Sequence, residues 1–538
     1  MRRTGGIERC TMPPEPSFSR SPQVRWVSRV QEPMSDPAPV TSPNPSAGLI
    51  VIRPAAEMGT KSRQTRNRFQ IALRRNIAVA LRRAGASRTL VQDFGRIYLE
   101  TDRVDAASRA LRRVFGIDNF SVVEAQCEPT LDAIVVAGER AFAPHVRGRR
   151  FAVRAKRKAG ATLSTQEIHL RLGTVLKACG GIVDLDHPAV TAAVEVGGDR
   201  CLLFADRIAG PKGLPVGTGG NAVALLSGGF DSSVAAWRML RRGVRIDYVF
   251  CNLGGGAYER MVLHVAKVLN DAWGHGHAAR LHVVDFTEPL AALRAAVPAQ
   301  FWQVVLKRMM YRAASTVAAA TGAQAIVTGE SLGQVSSQTL ANLCAIEPAA
   351  SVLVLRPLVG FDKQEIIDEA ERIGTAALSR RIKEYCAITP SHPVTSATVE
   401  RIDAAEAALD PGVLAAAVAA RRELHLSRVS PEDLRAPYLF TQQVPGGAAL
   451  IDCQSDEGYA RWHVPGAAHW DPVALLERMH ELNRQQTYVV YCSHGVQSAG
   501  IVEMMQQAGF EAYAFQGGLD TLRRTLDGAA AVPELSGS

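Results

Sequence analysis

Two short stretches hold residues that can do chemistry. The first is Ala222-Val223-Ala224-Leu225-Leu226-Ser227-Gly228-Gly229-Phe230-Asp231-Ser232, an apolar run that ends in a glycine turn, with an amphipathic helix predicted from Ser233 to about Arg242. Strand, glycine turn and helix together present backbone N–H groups and a helix N-terminus to an anion. Gly228 and Gly229 let the main chain approach a phosphate, and Ser227 and Ser232 add hydroxyl donors. Asp231 is too acidic to bind phosphate, so it serves Mg²⁺ or the geometry of the turn. The second stretch is Tyr491-Cys492-Ser493-His494-Gly495-Val496-Gln497-Ser498, a cysteine at a predicted strand end followed by a loop into a helix. Backbone N–H groups and a helix N-terminus there lower a thiol pKa and stabilise an anionic sulfur. Each stretch also has a plain reading: a turn with Asp231 or Ser232 as helix cap, and a cysteine that is a small buried hydrophobe.

The elements around the first stretch form a repeating pattern. After the breaker-rich linker 210–220, strands are expected at Val223–Leu226, Ile246–Asn252, Leu281–Phe286, Ala325–Thr328 and Val352–Leu355, alternating with helices. This is a doubly wound parallel sheet, whose ligands bind at the carboxyl ends of the strands, where Ser227, Gly329-Glu330 and Arg356 fall. An alanine-rich helical connector from Val399 to Leu424 leads to a smaller α/β unit, with strands at Ala449–Ile451, Tyr488–Tyr491 and Ala512–Phe515.

The front of the chain is basic. A strand at Gly48–Arg53 precedes a helix from about Thr60 to Gly85 rich in arginine, and a strand at Arg96–Glu100 and a helix at Val104–Val114 complete a small α+β unit. Beyond Asp118, the run from Phe151 to Lys158 alternates, with Phe151, Val153 and Ala155 facing a core while Arg154, Lys156 and Lys158 share the other face. Arg147, Arg149 and Arg150 extend that block, which reads as a surface for a phosphate backbone rather than a merely solvated face.

At 538 residues the chain exceeds one core, and its net charge of +9 leans toward a polyanionic partner. The nine cysteines, Cys10, Cys127, Cys179, Cys201, Cys251, Cys344, Cys386, Cys453 and Cys492, lack C-x-x-C spacing. That excludes a secreted disulfide framework and a zinc site, and points to a reducing cytoplasm. No tightly bound metal or organic cofactor is expected, and no apolar run is long enough to span a bilayer. Residues 1–48, rich in Pro, Ser and Arg, read as a disordered tail, within which Met34 serves as well as Met1 for the natural start.

The Ser227–Ser232 turn lacks the Gly-Lys-Ser/Thr ending of a Walker A loop and resembles the PP-loop of ATP pyrophosphatases. Leu306–Ala314, Gly329–Thr339, Leu355-Arg356-Pro357-Leu358, Asp362-Lys363 and Tyr385-Cys386-Ala387-Ile388-Thr389 add to it, and together they closely resemble the bacterial tRNA sulfurtransferases that make 4-thiouridine. Leu450-Ile451-Asp452-Cys453, Tyr459–Ala467 and Gln516-Gly517-Gly518-Leu519 resemble rhodanese.

The resemblance implies a multidomain α/β and α+β fold: tail 1–48, ferredoxin-like domain 49–102, THUMP domain 103–208, PP-loop adenylating domain 209–397, helical linker 398–435, rhodanese-like domain 436–530 and tail 531–538. It implies that ATP, as its Mg²⁺ complex, adenylates a tRNA uridine. Leu225 and Leu226 would border the nucleotide, and Lys307, Gly329 and Gln338 would contact it. Cys492 would carry the persulfide, Cys386 would resolve it as a Cys386–Cys492 disulfide, and Arg147, Arg149, Arg150, Arg154, Lys156 and Lys158 would meet tRNA. Rhodanese loops often carry an arginine, whereas this one has only His494, so a cysteine desulfurase is expected as donor rather than thiosulfate. A sulfur-carrier protein of thiamine synthesis is a further expected partner. A different PP-loop ligase would not need Cys492, and a thiazole sulfur carrier would not need the basic front.

Overall fold

In the computed structural model the described residues are 48–529 except 87, 94, 159–160, 254, 381–391, 431–432, 435–438, 493–495 and 517. Four sheets organise them. The first is antiparallel, in the order Ile208–Ala209, Ile117–Val122, Gly48–Pro54, Arg96–Thr101, Thr89–Asp93. Helix Arg63–Arg83 starts at Ser62, whose side chain accepts from the Thr65 N–H, and buries Phe69, Leu73, Ile77 and Leu81 on the sheet. Its arginines face solvent. The boundary expected at 102/103 cuts through this unit. Helix Val104–Leu111 and strand Ile117–Val122 belong to the first sheet, because Leu111, Ile117 and Phe120 fill its core.

The second sheet is mixed, in the order Ala125–Cys127, Cys201–Phe204, Val190–Val196, Arg150–Arg157, Ile182–Val183. Helices Leu131–Val146 and Thr165–Ala178 cover one face, and Phe151 and Val153 point into that core with Ala155 at its margin. Glu195 joins the two sheets, its buried carboxylate taking Arg53 at 3.1 Å and also Arg96.

The third sheet runs Leu353–Leu355, Ala325–Val327, Asn221–Leu225, Arg245–Asn252, Arg280–Asp285, Arg422–His425. All pairs are parallel except the last. Apolar cores fill both faces, and so the strands read as nearly continuous hydrophobic runs. Strand order reverses at Asn221–Leu225, and a crevice opens at the carboxyl ends of strands at such a point. The region expected as a helical linker is not one. Helices Val399–Glu406 and Pro411–Ala419 pack on the α/β core, and Arg422–His425 closes the sheet edge as an antiparallel strand.

The fourth sheet is wholly parallel, in the order Phe440–Thr441, Ala512–Phe515, Tyr488–Tyr491, Ala449–Asp452, Ala468–His469. Side-chain contacts tie the first and fourth units to the third. Phe115 of the first unit packs at 5.6 Å from Trp237 and 5.4 Å from Trp273. Arg260, on helix Gly255–Trp273, pairs at 2.9 Å with Glu503 on helix Val496–Gln507. Among the described residues no helix is long and apolar enough to cross a membrane.

Candidate active site

The loop after Asn221–Leu225 is built from its own hydroxyls. The helix that follows spans Phe230–Arg241 with Gly229 as N-cap, so Asp231 and Ser232 lie in its first turn rather than ahead of it. Gly228 has φ 79°, a left-handed conformation that only glycine adopts cheaply. The Ser227 N–H donates to the Ser232 hydroxyl at 3.2 Å, and that hydroxyl donates to the Gly229 carbonyl at 3.3 Å. From outside the loop, the Tyr258 hydroxyl donates to the Ser227 carbonyl at 2.9 Å and the Ser379 hydroxyl to the Gly228 carbonyl at 2.8 Å.

Asp231 is buried at 6 % exposure, and its carboxylate takes Lys363 Nζ at 2.9 and 3.0 Å and Gln334 Nε2 at 2.9 Å. The carboxylate is thus paired with a cation within the first turn of the helix. Gly329 explains itself by proximity: a Cβ there would stand 2.6 Å from the Asp231 carbonyl carbon and the Ser232 nitrogen.

Leu225, Leu226, Ser227, Asp231, Ser232, Lys307, Gly329 and Gln338 line one cavity of about 300 Å³, while Gly228 and Gly229 form the turn at its edge. Val249, Phe250, Leu253, Leu306 and Met310 give it an apolar wall suited to a flat base. The Gln338 side-chain oxygen accepts from the Ser331 N–H at 3.3 Å, which holds the far rim.

A polar cluster lines part of this cavity, and while the sequence placed Glu330 and Arg356 at strand ends and Lys307 at the nucleotide, it did not show their pairing with one another or with Tyr311 and Thr328. Glu330 takes Lys307 Nζ at 3.3 Å, the Tyr311 hydroxyl at 2.6 Å, the Thr328 hydroxyl at 3.0 Å and Arg356 Nε at 2.8 Å. Burial pushes its carboxyl up, but Lys307, the Tyr311 hydrogen bond and Arg356 outweigh burial and bring the pKa down to about 2. The available signal was spacing, since Lys307 and Tyr311 are four apart and share a helix face. Asn342 holds the neighbouring chain: its amide donates to the Ser336 carbonyl at 2.7 Å and to the Val394 carbonyl at 2.8 Å.

Cys492 follows Tyr488–Tyr491, the middle strand of the fourth sheet, and helix Val496–Gln507 begins four residues on. It is 4 % exposed, with Sγ 3.6 Å from the Ser498 hydroxyl. The loop 493–495 and Cys386 lie outside the described residues.

The basic block divides. Arg147, Arg149 and Lys156 are exposed, while Arg150, also exposed, pairs with Asp184 at 3.3 Å. Arg154 is exposed yet bonded to the Leu185 carbonyl, and Lys158 turns inward to the Tyr98 hydroxyl at 2.7 Å.

Four family descriptions match the chain in order: a ThiI ferredoxin-like domain at 49–121, a THUMP domain at 128–206, "Thiamine biosynthesis protein (ThiI)" at 217–410 and a rhodanese-like domain at 436–524. The tRNA sulfurtransferase of Pyrobaculum aerophilum is 36 % identical over 91 % of this chain and 98 % of its own. That of Marinobacter nauticus is 34 % identical over 86 % and 99 %. A crystal structure described as a 4-thiouridine synthetase–RNA complex with bound ATP superposes with TM-score 0.63 at 32 % identity, covering 70 % of this chain and 99 % of that one.

Proposed function

Since the chain belongs to the tRNA sulfurtransferase family, we propose that it uses ATP to move persulfide sulfur onto a tRNA uridine, giving 4-thiouridine. The observation that carries the reading is the pairing, in one chain, of a Ser227–Ser232 phosphate loop on a base-sized apolar cavity with a cysteine at a parallel-strand end. Uridine O4 is a poor leaving group. In the proposed first step O4 attacks the α-phosphorus of ATP, the α–β anhydride bond breaks, and pyrophosphate leaves. The loop N–H groups, the Ser227 hydroxyl and Lys307 answer the charge that develops on the phosphates, while the Ser232 hydroxyl holds the loop. Mg²⁺ enters with ATP as part of the substrate.

The outer sulfur of a Cys492 persulfide then adds to C4 and AMP departs, leaving the uridine joined to Cys492 through a disulfide-type bond. A Cys386 thiolate attacks the Cys492 sulfur and frees 4-thiouridine. A cellular dithiol reduces the resulting Cys386–Cys492 disulfide. The chain on either side of Cys386 supports this role, because the Ser379 hydroxyl donates to the Gly228 carbonyl of the Ser227–Ser232 loop and the Val394 carbonyl accepts from Asn342, four residues beyond the cavity-lining Gln338.

The basic front half, held on the adenylating unit through Phe115, is proposed to bind tRNA, and a cysteine desulfurase to load Cys492. A second use of the same persulfide, delivery to a thiamine-pathway sulfur carrier, is favoured by the family description matched at 217–410. The test of adenylation is tRNA-dependent release of pyrophosphate from ATP by purified enzyme. Pyrophosphate release that ignores tRNA would count against uridine as the adenylated group.

A further inference from the structure

Cys453 lies beside Cys492. Strands Ala449–Asp452 and Tyr488–Tyr491 are parallel with Asp452 opposite Tyr491, and the Cys453 N–H donates to the Tyr491 carbonyl at 2.9 Å. The ladder therefore continues one residue further and sets Cys453 alongside Cys492. Neighbouring strands lie about 4.8 Å apart, within the ~4.4–6.8 Å Cα separation that a disulfide spans. Residues at one register position point to the same face, and both thiols share one apolar cluster with Ile451 and Val490, at 2 % and 4 % exposure. Burial, and then the charge of Cys492 beside it, push the Cys453 thiol well up.

We propose that Cys453 is the disulfide partner of Cys492 within its own domain, opening the Cys492 persulfide and releasing the outer sulfur as sulfide. The inference rests on Cys492 carrying the persulfide. The Cys453 sulfur attacks the inner sulfur of Cys492–S–SH, forming the Cys453–Cys492 bond and breaking the bond to the outer sulfur. That sulfur leaves with the electron pair, takes up the Cys453 proton, and departs as hydrogen sulfide. The sulfane sulfur is the oxidant, and a cellular dithiol restores both thiols. Only the thiolate attacks well, so a buried neutral thiol makes this a slow discharge that quickens as pH rises. The persulfide outlasts a productive encounter and is dissipated when none comes.

The test uses full-length Cys386→Ser, loaded with radiolabelled sulfur by a cysteine desulfurase, desalted and followed without ATP or tRNA. Label should leave as sulfide while a Cys453–Cys492 peptide accumulates in a non-reducing digest. Adding Cys453→Ala should slow the loss by about tenfold or more, with equal initial labelling showing that the domain is folded. Equal loss from both variants, or no such peptide after normal labelling, overturns the inference alone. Failure of label to reach Cys492 overturns the persulfide reading along with it.

Discussion

Gly329 and Asp231 touch backbone to backbone: a Cβ on Gly329 would sit 2.6 Å from the Asp231 carbonyl carbon. The contact joins the loop after Ala325–Val327 to the first turn of Phe230–Arg241 across the point where strand order reverses. Main-chain atoms on both sides leave no flexible side chain to give way. Gly329→Ala should therefore displace the Ser227–Ser232 loop, destabilise the protein by about 1–3 kcal/mol and raise KM for ATP. Urea unfolding and pyrophosphate release check it; unchanged ATP affinity would separate this contact from the site.

Asp231→Ala should lower tRNA-dependent pyrophosphate release strongly, because it leaves Lys363 and Gln334 without the acceptor they share in the first turn after the Ser227–Gly229 loop. Persulfide loading of Cys492 should be unaffected, because the helix that carries Asp231 follows a strand of the third sheet whereas Cys492 follows a strand of the fourth. Joint loss in a variant with wild-type circular dichroism would contradict this division of labour.

Glu330 makes a pH prediction. Its folded pKa of about 2 lies below its ordinary 4.5, so its ionised form favours the folded state above pH 4.5. That contribution is lost as pH falls from 4.5 through about 2. The stability difference between wild type and Glu330→Gln should therefore be largest near neutrality and shrink over that acid window in urea titrations. A difference independent of pH would show that the carboxylate charge is not what the Lys307, Tyr311 and Arg356 cluster holds.

Exposure sorts the basic residues. Arg147→Ala and Arg149→Ala should each weaken tRNA binding and reduce the log–log salt slope by about 0.7–0.9 for each phosphate no longer neutralised. Lys158→Ala should change the slope little, since the Lys158 ammonium is spent on Tyr98. A larger effect at Lys158 than at Arg147 would place the RNA on another face.

The Arg260–Glu503 pair is predicted to position the domain that carries Cys492. Glu503→Arg should slow sulfur transfer on the order of tenfold and leave both pyrophosphate release and Cys492 labelling intact, in line with coupling energies of ~0.5–3 kcal/mol. Restoration by Arg260→Glu in the same chain is the decisive arm, because a merely structural lesion would not be rescued.

What the sequence made legible was local. The apolar run into Ser227-Gly228-Gly229 and the alternation at Phe151–Lys158 depend on near neighbours, and the parallel sheet and the second core follow them. The position of Arg422–His425 was hidden because an edge strand adds only four residues to an alanine-rich stretch read as helix. The Glu330 cluster was hidden because its partners stand up to 26 residues away and meet only after folding. Lys158 looked like its exposed neighbours by periodicity, and only the packing of the first sheet on the second brings Tyr98 to it.

The central claim is that ATP drives sulfur from Cys492 onto a tRNA uridine. Enzyme carrying radiolabelled persulfide on Cys492, freed of donor, should be mixed with tRNA and MgATP for one turnover, and the digested nucleosides separated. The account predicts label in 4-thiouridine, none without ATP, and none from Cys492→Ser. Label entering 4-thiouridine equally without ATP, or from the Cys492→Ser chain, would contradict it.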